Sequence, residues 1–485
     1  MEIPKPDLCL SDETRKPAVR SAQYGDICVA VATPPGQSGI AVIRLSGAGA
    51  AELVDPLFIP ASDRFLPVLR MPGYTCSVGD LVDPGDAGVL DQVVLTRYVS
   101  PHSYTGEDVI ELSCHGGAAV KQGILDLLLQ QGARPAEAGE FTKRAFLNGK
   151  IDLAQAEAVM DLISAGAARS ARNAAAQLKG RLSDQVRQQT DSLYQLLARI
   201  ELILEYPDHE ESEAMQERLQ TDLQEIAGQL RNRAASYEQG RLLREGLTVV
   251  LAGRPNAGKS SLLNALAGYD RAIVTPIPGT TRDTVEEIVD IKGVPVRLID
   301  TAGLRETSDL IEKIGVDRTK KALQGADLVF WLISPPASEL DQELELLQQV
   351  QCRKLIPLVS KDDLSVTGEV IEQLRGRWPD GRLMTCSVVT GEGLDQIRQA
   401  IVEAYEAIGE LQDDDALITN SRHRHCLEQA ARRIAEAESV ITSGLTLDIV
   451  ASLVRGSLEA LAEITGDVVT DALLQTIFSR FCVGK

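Results

Sequence analysis

A multidomain chain is predicted: an α+β domain comes first, then an all-α helical domain, with an α/β domain inserted between the two sequence halves of the helical one. Three observations carry this. Short β-type runs punctuated by Pro and Gly fill residues 25–143, stretches rich in Ala, Leu, Gln and Arg with helical spacing fill 144–240, and apolar strands alternate with helical stretches from 246 to about 405. Helical spacing resumes after the acidic linker Asp413-Asp414-Asp415. The length of 485 residues allows about three domains, and 44% hydrophobic with 25% charged residues is a globular composition.

In chain order, residues 1–23 form an expected flexible tail: they hold neither an apolar secretory stretch nor an Arg-rich, acid-poor one, which suits a cytoplasmic protein. In the domain 24–143, the strand Gly39–Leu45 follows the turn residues Thr33-Pro34-Pro35-Gly36, and Asp108–Leu112 precedes His115-Gly116-Gly117. The first helical half, 144–245, has apolar residues at Met215, Leu219, Leu223, Ile226 and Leu230, and Pro207 separates two of its helices. In 246–410, the strands Leu247–Ala252, Val296–Ile299, Leu328–Ile333 and Leu355–Val359 each precede a loop and a helix, which predicts a mainly parallel sheet with helices on both faces. The second helical half, 411–485, carries helices over Cys426–Ile441 and Leu445–Ile464. Because domain termini commonly lie close together, an insertion between two packed halves is sterically cheap.

Charge and composition narrow the function classes. The 49 Lys and Arg against 70 Asp and Glu leave a formal charge of −21, which opposes broad attraction to nucleic acid, so any RNA contact must be local or borrowed from a partner. The longest apolar runs, such as Leu328–Ile333, fall far short of the ~20 residues that span a bilayer. Eight cysteines without CxxC spacing read as reduced thiols. His423, His425 and Cys426 lack a second ligand pair at metal spacing, so a solvated helix face is expected there rather than a metal site.

The strongest motif is Gly253-Arg254-Pro255-Asn256-Ala257-Gly258-Lys259-Ser260, between a strand and the helix Ser261–Ala267. Glycines let backbone N–H groups turn inward around phosphates, and the helix N-terminus favours their charge. Asn256, Ala257, Gly258, Lys259, Ser260 and Ser261 are the expected phosphate-facing set, with Lys259 on the β and γ phosphates and Ser260 on Mg²⁺. Asp300-Thr301-Ala302-Gly303 ends a strand, where Asp300 can hold Mg²⁺ through water and the Gly303 amide can sense the γ phosphate; Thr281 offers a further metal ligand. Ser360-Lys361-Asp362-Asp363 follows another strand. The Asp363 carboxylate can accept both guanine N1–H and the N2 amine, Lys361 can lie along the ring, and Ser387-Val388 can donate a backbone N–H to guanine O6.

These motifs resemble the translation-factor-related GTPases, whose base-reading motif usually starts with Asn where this chain has Ser360. A hydroxyl in place of a carboxamide predicts guanine preference with weakened affinity. Small signalling GTPases place a water-orienting Gln directly after Asp-x-x-Gly, where this chain has Leu304. Another group must position the water. Asn256 can hold a monovalent cation against the phosphates or serve as a loop-stabilising amide; Glu312 can orient water or be a solvated helix Glu.

From about residue 24 to 485 the chain resembles the MnmE (TrmE) family of tRNA-modification GTPases. The resemblance rests on Ala32–Gly36 with Val42–Ser46, Tyr104–Asp108 with Cys114–Gly117, Gly139–Lys150 with Asp152–Glu157, the loops above, and Phe478–Lys485, all in family order. It implies a folate-binding-like N-terminal domain that dimerises and binds 5-formyl- or methylene-tetrahydrofolate through Arg44, Glu111, Lys150 and Lys485. Spacing alone reads Arg44 as an edge-strand charge and Lys150 as a helix-start charge. The resemblance further implies a Ras-like P-loop GTPase domain activated by K⁺ on Asn256, Thr275, Ile277 and Thr280, with Glu312 as the water-orienting acid beside Asn256 and Lys259. Pro276 and Pro278, within Thr275-Pro276-Ile277-Pro278-Gly279, stiffen that loop. Cys482 matches the family's terminal Cys-x-Gly-Lys motif, where a nearby cation such as Lys485 favours a thiolate.

The implied outcome is an aminomethyl or carboxymethylaminomethyl group at C5 of the tRNA wobble uridine, made with an FAD-containing partner, MnmG (GidA), in a heterotetramer or larger complex. The chain itself carries no flavin or nicotinamide fingerprint. A ribosome-assembly GTPase is the competing reading, but those proteins usually carry a basic RNA-binding module. A membrane-remodelling GTPase would need an apolar insertion loop or a basic amphipathic helix.

Overall fold

The computed structural model describes residues 26–62, 64–85, 88–206, 212–269, 286–300, 322–334, 352–363, 367–377, 382–408, 417–443 and 446–485. They divide into two compact units. One comprises the described residues up to Met160 with Gln177–Ala227 and Gln429–Lys485; the other comprises Asp161–Ala176 and Gly228–Glu428.

The first unit is built on a seven-stranded sheet of β1 (Cys28–Val31), β2 (Ser38–Ser46), β3 (Phe58–Pro60), β4 (Thr75–Val82), β5 (Val89–Tyr98), β6 (Val109–Gly116) and β7 (Arg134–Pro135), ordered β3-β4-β5-β6-β2-β1-β7. All pairs are antiparallel except β1 with β7. Side chains alternate between the faces of a strand. Ile43, Leu45, Leu95, Ile110 and Leu112 therefore share one face, where they form a core with Val54, Ile124 and Leu128 from the helices Ala50–Val54 and Ala118–Gln130. Arg44, Glu111 and Thr96 stand in cross-strand register on the opposite face. Since β2 has a neighbour on each side, Arg44 is not the edge-strand charge that spacing alone suggests. β6 runs four residues past the expected end at Leu112 because it stays paired with β2 as far as Ser38 opposite Gly116, and Asp91 holds its tip: one carboxylate oxygen accepts the His115 backbone N–H at 2.7 Å and the other lies 2.7 Å from its ring Nδ1.

A buried ion network fastens the helix Glu140–Leu147 to this sheet. The Arg144 guanidinium donates to Glu140 at 2.7 Å, to Glu107 at 2.8 Å and to the Asp26 and Ser46 carbonyls. Arg134 adds two bonds to Glu140 and pairs with Asp26. Burial alone would raise the Glu140 pKa, but Arg134, the Glu137 N–H and Arg144 outweigh it and hold the carboxyl below its usual range. A depressed carboxylate contributes stability at neutral pH that is lost as pH falls through its folded-state value.

In the same unit the helix Arg181–Glu205 packs on Leu447–Thr465. The buried positions Leu182, Val186, Gln189, Leu193, Leu196, Ile200 and Ile203 alternate in steps of four and three, as do Val450, Val454, Ser457, Leu461 and Ile464. That 3.5-residue repeat is the seam of a coiled-coil-like pair.

The second unit holds a six-stranded sheet of β8 (Leu247–Gly253), β9 (Glu286–Ile291), β10 (Val294–Asp300), β11 (Leu328–Ile333), β12 (Leu355–Ser360) and β13 (Met384–Cys386), ordered β13-β12-β11-β8-β10-β9. Every pair is parallel except β9 with β10. The strands are buried on both faces, with two apolar clusters on alternate residues. This is why they read as near-continuous apolar runs. In the helix Ser421–Thr442, His423 and Cys426 are buried and only His425 of the trio is exposed, which corrects the expected solvated face; their i, i+3 spacing turns both the same way. Among the described residues no helix is long and apolar enough to cross a membrane.

Arg144→Met should leave the Glu140 and Glu107 carboxylates short of a buried partner and destabilise the first unit by about 3 kcal/mol. Amide exchange should then accelerate in β1 and the helix Glu140–Leu147 while β8 keeps its protection; unchanged exchange in β1 would contradict the network's role.

Candidate functional site

In the second unit, β8 feeds the phosphate-loop sequence directly into the helix Lys259–Tyr269. Gly253 adopts φ +134°, and a Cβ there would collide with the Leu332 carbonyl, so only glycine lets β8 run this close to β11 before turning. Asn256 takes a left-handed φ of +62°, one that Asn tolerates better than most residues. The Lys259 ammonium is buried against the loop and donates to the Gly253 and Arg254 carbonyls at 3.0 and 2.7 Å. Ser260 donates to Asp300 at 2.7 Å, so the two expected Mg²⁺-side groups, 40 positions apart, meet at the ends of β8 and β10. A hydroxyl and a carboxylate are the hard oxygen donors that such a cation takes.

The segment expected to read the base lies at the end of β12. Lys361 has φ +61°, which turns the chain out of the strand. Asp363 accepts a hydrogen bond from the Ser387 hydroxyl at 2.7 Å, and that hydroxyl accepts from the Thr390 N–H at 3.2 Å. The Ser387 backbone N–H, one of two expected donors to guanine O6, donates instead to the Glu392 carbonyl at 3.0 Å. Ser360 points away from this loop's tip: its hydroxyl donates to the Ala257 carbonyl at 2.7 Å and approaches the Ile333 carbonyl at 3.3 Å.

In the first unit a second site surrounds Arg44. Its guanidinium pairs with Glu111 at 2.7 Å and lies over the Tyr104 and Phe141 rings, 5.5 and 5.6 Å from their centroids. Such stacking is favourable for a partly desolvated cation. The Tyr98 hydroxyl donates to the other Glu111 oxygen at 3.4 Å, and Tyr104 shares a 2.9 Å hydroxyl contact with Thr142. The chain's last residues reach the same place. Val483 bridges to Ala138, and Gly484, at φ +97°, packs so tightly on the Val31 carbonyl that a side chain would collide with it. Burial and the adjacent Arg44 charge push the Lys485 ammonium down in pKa, against the opposing pull of Glu111 and Cys482. Two cations and one carboxylate set among aromatic rings suit a ligand with an anionic end and a flat donor-bearing ring. Lys150 is not drawn into that group: its ammonium donates at 3.0 Å to the Pro101 carbonyl, in the loop that carries Tyr104.

Thr275, Pro276, Ile277, Pro278, Gly279, Thr280, Thr281, Thr301, Ala302, Gly303, Leu304 and Glu312 lie outside the described residues. Sequence reasoning missed Tyr98, Tyr104 and Phe141 as site residues, although Tyr104 and Phe141 sit within quoted motif blocks. It also missed that the Ser387 side chain, and not only its backbone, meets Asp363. Among the thiols, burial pushes Cys28 and Cys386 up to about 12, which makes them inert, while Cys482 is exposed beside Lys485.

Comparison with known proteins places these two sites in one context. The pattern of the MnmE helical domain matches residues 153–482, and that of the GTP-binding protein TrmE N-terminus matches 27–150. The chain is 42% identical over 461 residues to the tRNA modification GTPase MnmE of Carboxydothermus hydrogenoformans, covering 95% of this chain and 99% of that protein. It is 40% identical over 464 residues to the protein of the same name from Acetivibrio thermocellus, and 41% over 464 to that from Geobacillus thermodenitrificans, with the same coverage in both cases.

Proposed function

The chain belongs to the MnmE family of tRNA modification GTPases and hydrolyses GTP, and on that footing we propose that potassium activates the hydrolysis and that hydrolysis acts as a conformational switch in wobble-uridine modification. With an FAD-containing partner, MnmG (GidA), a homodimer of this chain installs an aminomethyl or carboxymethylaminomethyl group at C5 of that uridine in the cytoplasm. The observation that carries the proposal is the pairing, in one chain, of the Lys259, Ser260 and Asp300 geometry with the Arg44, Glu111 and Lys485 cluster.

On this reading Lys259 moves from the loop carbonyls to the β and γ phosphates, and Ser260 and Asp300 hold Mg²⁺ with Thr281. Asp363, oriented by Ser387, accepts the two guanine donors while Val388 donates to O6. Asn256, with Thr275, Ile277 and Thr280, holds K⁺, which supplies positive charge where an arginine finger otherwise stands. Glu312 orients the attacking water in place of the glutamine that Leu304 displaces. Loops at Thr281 and Gly303 sense the γ phosphate.

In the first unit, Arg44 and Lys485 neutralise the carboxylates of a tetrahydrofolate and Glu111 accepts from its ring, with the exposed Tyr104 ring beside the ligand and the buried Phe141 ring backing the Arg44 guanidinium. Bound there, the folate supplies the one-carbon unit. Lys150 contributes by holding the Pro101 to Gly106 loop that frames the site.

Hydrolysis should run at least about tenfold faster in KCl than in NaCl at equal ionic strength, a difference Asn256→Ala should abolish; equal wild-type rates would sink the cation role. Asp363→Asn should shift preference toward xanthine nucleotides by about a hundredfold, because the amide cannot accept both guanine donors; intact guanine selectivity would show that another group reads the base. Mass spectrometry of wobble nucleosides from a deletion strain should find the modification restored by the parent gene and missing with Arg44→Ala, whose protein keeps GTP hydrolysis but binds folate weakly. Full restoration by that variant would remove Arg44 from the chemistry.

A further inference from the structure

We propose that Ser360 is a positioning residue that ties the base-reading loop to the phosphate loop and thereby sets how long a nucleotide stays bound, without reading the base itself. The inference rests on the reading above that the segment after β12 reads the base. Ser360 is the last residue of β12 and is buried. Its hydroxyl donates to the carbonyl of Ala257, which stands between Asn256 at φ +62° and Gly258 at φ +93° in the turn of the phosphate loop. The next residue, Lys361, adopts φ +61°, and Asp363 follows two positions later. One side chain therefore links the root of one loop to the turn of the other across 103 positions of sequence.

A hydroxyl has a single proton. Here it faces two carbonyls, Ala257 at 2.7 Å and Ile333 at 3.3 Å, so one donor serves both the phosphate loop and the end of β11. Both acceptors are protein backbone, which directs the hydroxyl to loop geometry and away from the ring. A mononucleotide touches one loop with its base and the other with its phosphates, so its retention depends on the two being held at a fixed separation. When that separation is pre-set, less ordering entropy is lost on binding, and affinity differences of this kind fall mostly on the dissociation rate. A carboxamide at position 360 would bring two N–H donors and could serve the two carbonyls separately. The single proton of Ser360 makes a looser tie, which deepens the expectation of weakened affinity into a specific one: faster release with selectivity retained.

The test is stopped-flow release of fluorescent GDP from the full-length chain at fixed Mg²⁺, alongside relative affinities for GDP and IDP, which lacks the N2 amine. Ser360→Ala should release GDP about tenfold faster, the factor that ~1.4 kcal/mol represents. Its GDP-to-IDP ratio should stay at the parental value. Ser360→Thr, which keeps the hydroxyl on a residue suited to a strand end, should return release toward the parental rate, which a general loss of stability would not do. Parental release by Ser360→Ala, together with a xanthine switch in Asp363→Asn, would overturn the tie and leave the base-reading assignment standing. Loss of the GDP-to-IDP ratio in Ser360→Ala would also overturn it, by showing that the hydroxyl reads the base. If Asp363→Asn keeps guanine selectivity, the base-reading assignment fails and this inference fails with it.

Discussion

The constraint on which the nucleotide region depends is parallel strand register. Gly253 stands opposite Leu332, Ile333 opposite Val359, Ser360 opposite Cys386, and Asp300 opposite Leu251. Parallel strands must all end at the same edge of the sheet, so the loops after β8, β10, β12 and β13 emerge together. From β8 the sheet extends to β10 on one side and β11 on the other, the kind of switch point outside which open α/β sheets bind ligands. Ser260 with Asp300, Ser360 with Ala257 and Asp363 with Ser387 are consequences of that shared edge, each a short hydrogen bond between residues far apart in the chain.

The first sheet solves a different problem. Its antiparallel strands give one face to an apolar core and leave the other to a row of polar residues, so its candidate site lies across the middle of strands rather than at their ends. Charges in such a place lose water and need partners. Arg44 and Glu111 supply each other directly across β2 and β6, and two aromatic rings flank the guanidinium. Lys485 joins as a second cation only because the terminal residues bridge back to Ala138 and pass close to β1 at Gly484. The Arg144 network fixes the helix that supplies Phe141 and Thr142, so the deepest ion pairs of the unit are one step removed from ligand chemistry.

Left-handed backbone is concentrated where loops must act. Four described residues other than glycine have positive φ, and two of them, Asn256 and Lys361, stand in the phosphate and base-reading loops. Such conformations persist only when neighbouring bonds over-determine them. Next to them, the Ser360 and Lys259 side chains donate to carbonyls of the same loops.

By itself the sequence determined the mainly parallel second sheet, four of its strands (β8, β10, β11 and β12) to within about two residues but not β9, and where the glycine-rich loop after β8 lies, because these follow from local periodicity and from short contiguous spacing. It also carried the folate-type residues, though only by resemblance, since Arg44 and Glu111 have no spacing in common and become partners through the β2 to β6 register. The tertiary structure alone decided that Arg44 stands on an interior strand, that His423 and Cys426 are buried, that the terminal residues pass close to β1 at Gly484, and that the Ser360 hydroxyl donates to the Ala257 carbonyl. The physical reason is common to all four. Each depends on which distant backbone carbonyl, charge or core a side chain meets after the strands and helices pair, and no local pattern in the chain encodes that meeting.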